Sequence, residues 1–149
     1  MFFSLSSPGE DLPQFPKPTH SGKPRQTGLR PWATTNDHIA HIPRQWPDHN
    51  VDKVTQCHRP ATNGDTLLRC MTTNGQGQVH PSGRRAFTNR EWACLQGFPL
   101  EHRFGRREVK KQIGNAVSPI FAKALMEHIK KSLMKADGIP EEQPVVETV

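Results

Sequence analysis

The sequence predicts a mostly irregular chain with two or three α-helices and little strand. Three observations carry that expectation. Glycine and proline together make up 25 of the 149 residues, and hydrophobic residues are only 33%. The mean hydropathy is −0.73. So polar a chain buries little apolar surface against its conformational entropy, so either much of it is loop or part of its core belongs to another segment or chain. Against that background, two capping boxes and one long apolar stripe mark where helices form.

The elements follow in chain order. Phe2-Phe3-Ser4-Leu5 reads as a short strand whose beginning is cut off. Pro8–Pro31 holds six prolines, which remove donors and fix φ, so extended irregular chain is expected. Thr34 with Asp37 three residues on forms a capping box, Ile39 and Ile42 share one face, and Pro43 stops the segment. A short helix from Thr35 to Ile42 follows. Pro43–Asp65 is polar loop, Leu67–Thr72 reads as a strand, and Thr73–Gly83 is glycine-rich loop.

Thr88-Asn89-Arg90-Glu91 is a second capping box, with a helix expected to Gln96, Gly97 at the left-handed position beyond it and Pro99 preventing continuation. Gln112–Val117 reads as a tight loop. Ser118 caps and Pro119 opens the last helix, in which Phe121, Ala124, Leu125, His128, Ile129, Ser132, Leu133 and Ala136 form one stripe. Glu127–Lys131 is a favourable pair on the other side, and Gly138 with Pro140 ends the helix. The acidic tail Glu141–Val149 is expected to be disordered.

The formal charge is +6, with a sequence pI near 9.6. A basic excess favours a polyanion, most often nucleic acid, although a merely soluble basic surface gives the same total. The three cysteines are far apart, without a CxxC pair, which fits a reducing, intracellular setting rather than secretion. Cys57-His58 and Cys70 lack zinc-ligand spacing, and no metal is expected. Cys94 sits towards the C-terminal end of its helix, where a thiolate is disfavoured, so it reads as a packed core residue. The eight histidines read as surface or loop residues.

Two blocks remain. In Gln112–Val117, small Gly114 and Ala116 admit a ligand or another backbone closely, and Asn115 offers donor and acceptor in a tight loop. A turn whose Asn only satisfies backbone groups is the competing reading. Arg84, Arg85 and Arg90 flank the capped turn, and Arg103, Arg106, Arg107, Lys110 and Lys111 follow it. Such a cluster is either a solvated face or a set of phosphate contacts.

These blocks resemble the C-terminal end of cytosine-5 DNA methyltransferases. The family's ninth shared motif looks like R-x-[FL]-T-x-R-E-x-A-x-L-Q-G-F-P, and here Arg85-Ala-Phe-Thr-Asn-Arg-Glu-Trp-Ala-Cys-Leu-Gln-Gly-Phe-Pro99 is similar to it. The tenth looks like Q-I-G-N-A-V-P-P, which Gln112–Pro119 resembles with Ser118 in place of the first proline. Upstream, Thr34–Pro43 resembles a short element near the start of the target-recognition insert. Leu12–His20 is similar to a proline-rich stretch past the eighth motif, with a likeness to fungal members.

The resemblance implies methyl transfer from S-adenosyl-L-methionine to carbon 5 of a cytosine flipped out of DNA. It implies an α/β fold for the full enzyme, the S-adenosylmethionine-dependent methyltransferase fold, with residues 1–6 ending a strand of its catalytic sheet. Residues 7–83 would form a loop-rich target-recognition region, 84–138 the C-terminal part of the methyltransferase domain and 139–149 the tail. Gly114, Asn115, Ala116 and Val117 would meet the cofactor. Arg84, Arg85, Arg90, Thr73 and Asn74 would meet DNA, Leu67–Gly83 would face it, and Arg85 with the Thr88–Glu91 turn would brace the recognition region. The family's attacking cysteine in Pro-Cys, its Glu-Asn-Val, its Phe-x-Gly-x-Gly turn and its Gln-x-Arg-x-Arg do not occur in these residues. No catalytic residue is therefore assigned, and the chain alone is expected to be inactive. Besides DNA, the expected partner is a missing N-terminal catalytic segment or an intact methyltransferase. A truncated gene model, a relic and a split subunit all fit, and a stand-alone basic DNA-binding module is the alternative. The expected compartment is the nucleus if the source is eukaryotic and otherwise the cytoplasm.

Overall fold

The computed structural model describes residues 15–53, 59–73 and 78–140. The expected strand Phe2–Leu5, the tail Glu141–Val149, Cys57 and Asn74 lie outside the described residues. The chain divides into two bodies: Thr19–Ile120, and Met1–Pro18 with Phe121–Val149.

The first body opens with two small elements in the stretch expected to be irregular. β1 (His20–Ser21) and β2 (Arg30–Pro31) pair in parallel, His20 with Arg30 and Ser21 with Pro31. The four-residue α1 (Pro24–Thr27) lies between them. Pro24 suits a first turn, where its missing N–H is not needed, and Gly28 at φ +67° ends α1 in the left-handed region.

α2 (Thr35–Ile39) starts at the expected capping box: Thr34 Oγ1 accepts from the Asp37 amide at 3.2 Å, and Asp37 Oδ2 accepts from the Thr34 amide at 2.7 Å. The helix stops at Ile39 rather than Ile42. The Ile42 amide bonds to the Ile39 carbonyl in a tighter turn, which still buries both isoleucines. The first turn is tied across the chain, because the Thr35 amide and hydroxyl both donate to the Thr66 carbonyl, at 3.0 and 2.9 Å.

Leu67–Thr72 is not a strand. Two of its carbonyls take a side chain instead of a ladder: Gln78 Nε2 donates to the Arg69 and Cys70 carbonyls at 3.1 and 3.0 Å. A single antiparallel bridge joins Val79 to Ala86, and the turn between them uses Gly83 at φ +72°.

α3 (Asn89–Leu95) has the second expected capping box. Its C-terminus closes through the Gly97 amide to the Cys94 carbonyl and the Phe98 amide to the Ala93 carbonyl, both 2.9 Å, with Gly97 at φ +85°. α4 (Val109–Asn115) takes in Gln112–Asn115, residues expected to form a loop. Val109 and Ile113 at i, i+4 turn one side inward, and Ile113 is fully buried. Phe87, Trp92, Ala93, Cys94, Ile39, Ile42 and Ile113 make one core, with Trp46, Leu68, Met71, Leu95 and Phe98 packed against it. Removing a large aromatic such as Trp92 or Phe87 costs about 3–5 kcal/mol.

α5 (Pro119–Ala136) runs through the expected stripe. It ends at Gly138, φ +68°, with the Ile139 amide on the Met134 carbonyl at 2.8 Å. Phe121, Met126 and Leu133 are exposed. Glu127 pairs with Lys123 at 3.8 Å, on the preceding turn instead of with Lys131.

Candidate functional site

The Arg85–Pro99 block is built around one carboxylate. Glu91 is 2% exposed and takes Arg85 in a two-pronged pair, NH1 to Oε2 and NH2 to Oε1, both 2.7 Å. Glu91 Oε2 also accepts from the Thr88 amide at 2.8 Å, while the Glu91 amide donates to the Thr88 hydroxyl at 3.1 Å. Burial pushes the Glu91 carboxyl up. The Arg85 and Thr88 hydrogen bonds, with the Arg85 and His80 charges, outweigh it and hold the group below the ordinary carboxylate range.

Two histidines complete the cluster. His49 is buried, with Nδ1 2.9 Å from the Thr88 hydroxyl, and His80 Nε2 lies 3.5 Å from Glu91 Oε1. Burial lowers both imidazole pKa values and wins over the attraction of Glu91. The His80–Glu91 contact is therefore that of a neutral ring at physiological pH. His49 lies in a loop, as read from the sequence, but it is buried there because its partner lies 39 residues away, where no local pattern signals it.

Arg90 is placed against the expectation of a DNA contact. It is 1% exposed, and its guanidinium donates from Nε to the Pro47 carbonyl at 3.2 Å and from NH1 to the His102 carbonyl at 3.0 Å. Its third nitrogen lies 3.6 Å from Asp48 Oδ2, and its Cζ lies 6.0 Å from the centre of the Phe104 ring. A buried charge must be paired, and this one is paired entirely within the chain. Arg90 thus joins the 46–49 loop to the 102–104 loop. Arg84 is exposed, Arg85 is taken up by Glu91, and Thr73 is half-buried.

The Gln112–Pro119 block meets the Arg85–Pro99 block directly. Gln96 Nε2 donates to the Ala116 carbonyl at 2.6 Å, and the Ser118 hydroxyl lies over Gly97, where a Cβ would stand 2.9 Å from it. Gly114 admits another backbone closely: a Cβ there would stand 2.7 Å from Thr73 Cα and 2.9 Å from Thr73 N. The structure so brings together Gly114 and Thr73, which the sequence assigned to different ligands. Asn115 and Val117 are exposed, and Ala116 is half-buried. Burial raises the Cys94 thiol pKa, in keeping with a core residue.

Sequence reasoning missed a cavity of about 240 Å³ lined by Thr35, His38, Arg69, Cys70, Met71 and Gln96 among others. It lies between α2, the 67–71 stretch and the end of α3, so it depends on the irregular path that 67–71 takes in place of the expected strand.

The family model for C-5 cytosine-specific DNA methylases matches residues 18–131. The chain belongs to this family. The type II methyltransferase M.BbvI of Brevibacillus brevis is 42% identical over 115 residues, covering 68% of this chain and 30% of its own length. The DNA (cytosine-5)-methyltransferase CMT2 of Oryza sativa subsp. japonica is 43% identical over 75 residues, covering 45% of this chain and 6% of its own length. The type II methyltransferase M.AquIB of Picosynechococcus sp. is 36% identical over 69 residues, covering 38% of this chain and 50% of its own length. No solved structure matches. This C-5 cytosine methylase chain spans only 20% to 37% of the length of five bacterial relatives it matches. The family implies the S-adenosylmethionine-dependent methyltransferase fold, and the few helices and little strand here are consistent with a fragment of it. The relatives named come from bacteria and a plant, so the fungal likeness of Leu12–His20 gains no support from them.

Proposed function

We propose that the chain is the target-recognition and cofactor-closing part of a DNA (cytosine-5-)-methyltransferase, which moves a methyl group from S-adenosylmethionine to carbon 5 of cytosine in DNA. The observation that carries this reading is the junction of the two motif blocks with the recognition stretch. Gln96 holds Ala116, Gly114 lies against Thr73, and His49 and His80 reach the Thr88–Glu91 turn. Residues 7–83 then present DNA contacts from Thr73 and Asn74, with Arg84 beside them at the boundary, while residues 84–138 close the cofactor site.

The fit to the cofactor is that of one wall. Asn115 is exposed and offers a donor and an acceptor suited to the amino and carboxylate groups of a methionine end. Val117 is 65% exposed and offers an apolar edge, and Ala116 stands between them. Gly114 supports this wall from behind, because its own open side is filled by Thr72 and Thr73. The bound cofactor supplies the methyl group. The attacking cysteine and its assisting glutamate belong to a segment outside this sequence, in the same polypeptide or in a partner chain. The protein acts where its DNA is, in the nucleus of a eukaryote or the cytoplasm of a bacterium.

A self-standing DNA-binding module without catalysis is the second reading. The observation favouring it is that residues 19–120 build a core of their own. The transcript immediately 5′ of the Met1 codon separates the two. An in-frame extension with Phe-x-Gly-x-Gly, Pro-Cys and Glu-Asn-Val, whose product transfers labelled methyl to cytosine when the 149-residue chain does not, supports the first. Methyl transfer by the 149-residue chain alone, with host enzymes excluded, would overturn the assignment of the chemistry to another segment.

A further inference from the structure

The loop between α3 and α4 combines a pinned backbone with unpaired cations. Residues 101–111 hold five lysines and arginines against two glutamates, so they carry +3 of the chain's formal +6. One of those glutamates, Glu108, pairs with Lys111 at 3.3 Å. Arg103, Arg106 and Arg107 are all exposed and have no carboxylate within ion-pair distance among the described residues.

The backbone beneath them is held at several points. Arg90 NH1 binds the His102 carbonyl, and Phe104 packs edge-on to Phe98, ring centres 5.0 Å apart. Gln112 reaches back from α4 with both ends of its amide. Its Oε1 accepts from the Gly105 amide at 3.2 Å, and its Nε2 donates to the Arg107 carbonyl at 2.6 Å and the Gly105 carbonyl at 3.4 Å. The ordering cost of the loop is met by the fold, while its arginines remain free to bind. A guanidinium fork matches phosphate geometry, and duplex DNA presents phosphates densely enough to engage several at once.

We propose that Arg103, Arg106 and Arg107 form a sequence-independent clamp on the phosphate backbone of duplex DNA, with Gln112 as the positioning residue that holds the loop. The clamp is additional to the contacts assigned to Arg84, Thr73 and Asn74, and it rests on the reading of the chain as a DNA methyltransferase segment. It gives Gln112, within the tenth-motif block, a structural task distinct from the cofactor wall.

The test is binding of the full chain to a short labelled duplex across a salt series. The triple variant Arg103→Ala/Arg106→Ala/Arg107→Ala is compared with a control, Lys130→Ala/Lys131→Ala/Lys135→Ala, that removes the same charge from exposed positions of α5. The arginine variant is expected to lower the slope of log affinity against log salt by about 2 to 3, one counterion per lost phosphate contact. The lysine variant is expected to lower it by much less. Gln112→Ala is expected to weaken binding, since the loop loses the hydrogen bonds that hold the Gly105 and Arg107 backbone. Equal losses in the two triple variants would reduce the effect to net charge and overturn the clamp. An arginine variant that binds as wild type would overturn it too, leaving the methyltransferase reading intact. A wild-type chain that binds no duplex even at low salt would overturn both. Tighter arginine-dependent binding of single-stranded RNA than of duplex would overturn the assignment to DNA.

Discussion

The backbone of Thr73 fills the space that a side chain at Gly114 would need, with Thr73 Cα 2.7 Å from the position of a Cβ there. This contact couples the last turn of α4 to the stretch that ends at residue 73, so the two ligand surfaces proposed above share one packing element.

Gly114→Ala is therefore expected to destabilise the protein. Alanine gains about 1 kcal/mol over glycine in a helix interior. Overpacking costs about 1–3 kcal/mol, and the upper part of that range applies because the atoms struck are backbone, which cannot swing aside. A lower urea midpoint in the variant is the expected result. An unchanged or raised midpoint would mean that Thr73 moves freely away from α4.

Glu91→Gln tests the brace. Breaking one partner of a buried pair costs about 3 kcal/mol or more, because Arg85 is left with an uncompensated charge and the Thr88 amide with a weaker acceptor. Replacing both Arg85 and Glu91 by methionine is expected to cost less than the sum of the two single changes. A double-mutant cycle with no coupling would show that the two 2.7 Å contacts contribute nothing together.

Acid should loosen the same cluster in two stages. His49 and His80 have folded pKa values below the ordinary imidazole value, so the unfolded chain takes up protons first as the pH falls past about 6.5. Their contribution is complete above that value and declines as the pH falls towards their folded values. Glu91 has a lowered pKa, so its contribution persists through this range and is lost only as the pH falls through its folded value, below the ordinary carboxylate range. Urea midpoints measured from about pH 7 to pH 3 should fall in both stages, and His80→Gln should flatten the first. A first stage as steep in His80→Gln as in the wild type would assign it elsewhere.

How far the sequence was legible follows from how local each signal is. The capping boxes at Thr34 and Thr88 were readable because donor and acceptor are three residues apart, and both form. The C-terminal signals at Gly97 and Gly138 were readable for the same reason. α4 was not, because Val109 and Ile113 are too few apolar positions to show a period, and the helix depends on burying Ile113 against residues far away in sequence. The strand expected at Leu67–Thr72 does not form, and the Arg69 and Cys70 carbonyls within it take the Gln78 amide instead of a ladder. At the site, Gly114 was correctly singled out as a place of close approach, yet only the structure decides that the approaching group is Thr73.

The same limit separates Arg84 from Arg90, which the sequence presents as equivalent loop-flanking cations. Arg84 is exposed and unpaired among the described residues, whereas Arg90 is buried with its donors on the Pro47 and His102 carbonyls. Arg84→Ala is expected to leave the melting temperature unchanged and to lower the salt slope of DNA binding by about 1. Arg90→Lys should do the reverse in stability, because an ammonium cannot reach the Pro47, His102 and Asp48 oxygens together in that geometry. A loss of about 2–4 kcal/mol is expected, with the slope retained in conditions where the variant is folded. Calorimetry and salt-dependent binding on both variants check this. An Arg90→Lys protein that melts like the wild type but loses a unit of slope would return Arg90 to the DNA surface and remove it from the joint between the two loops.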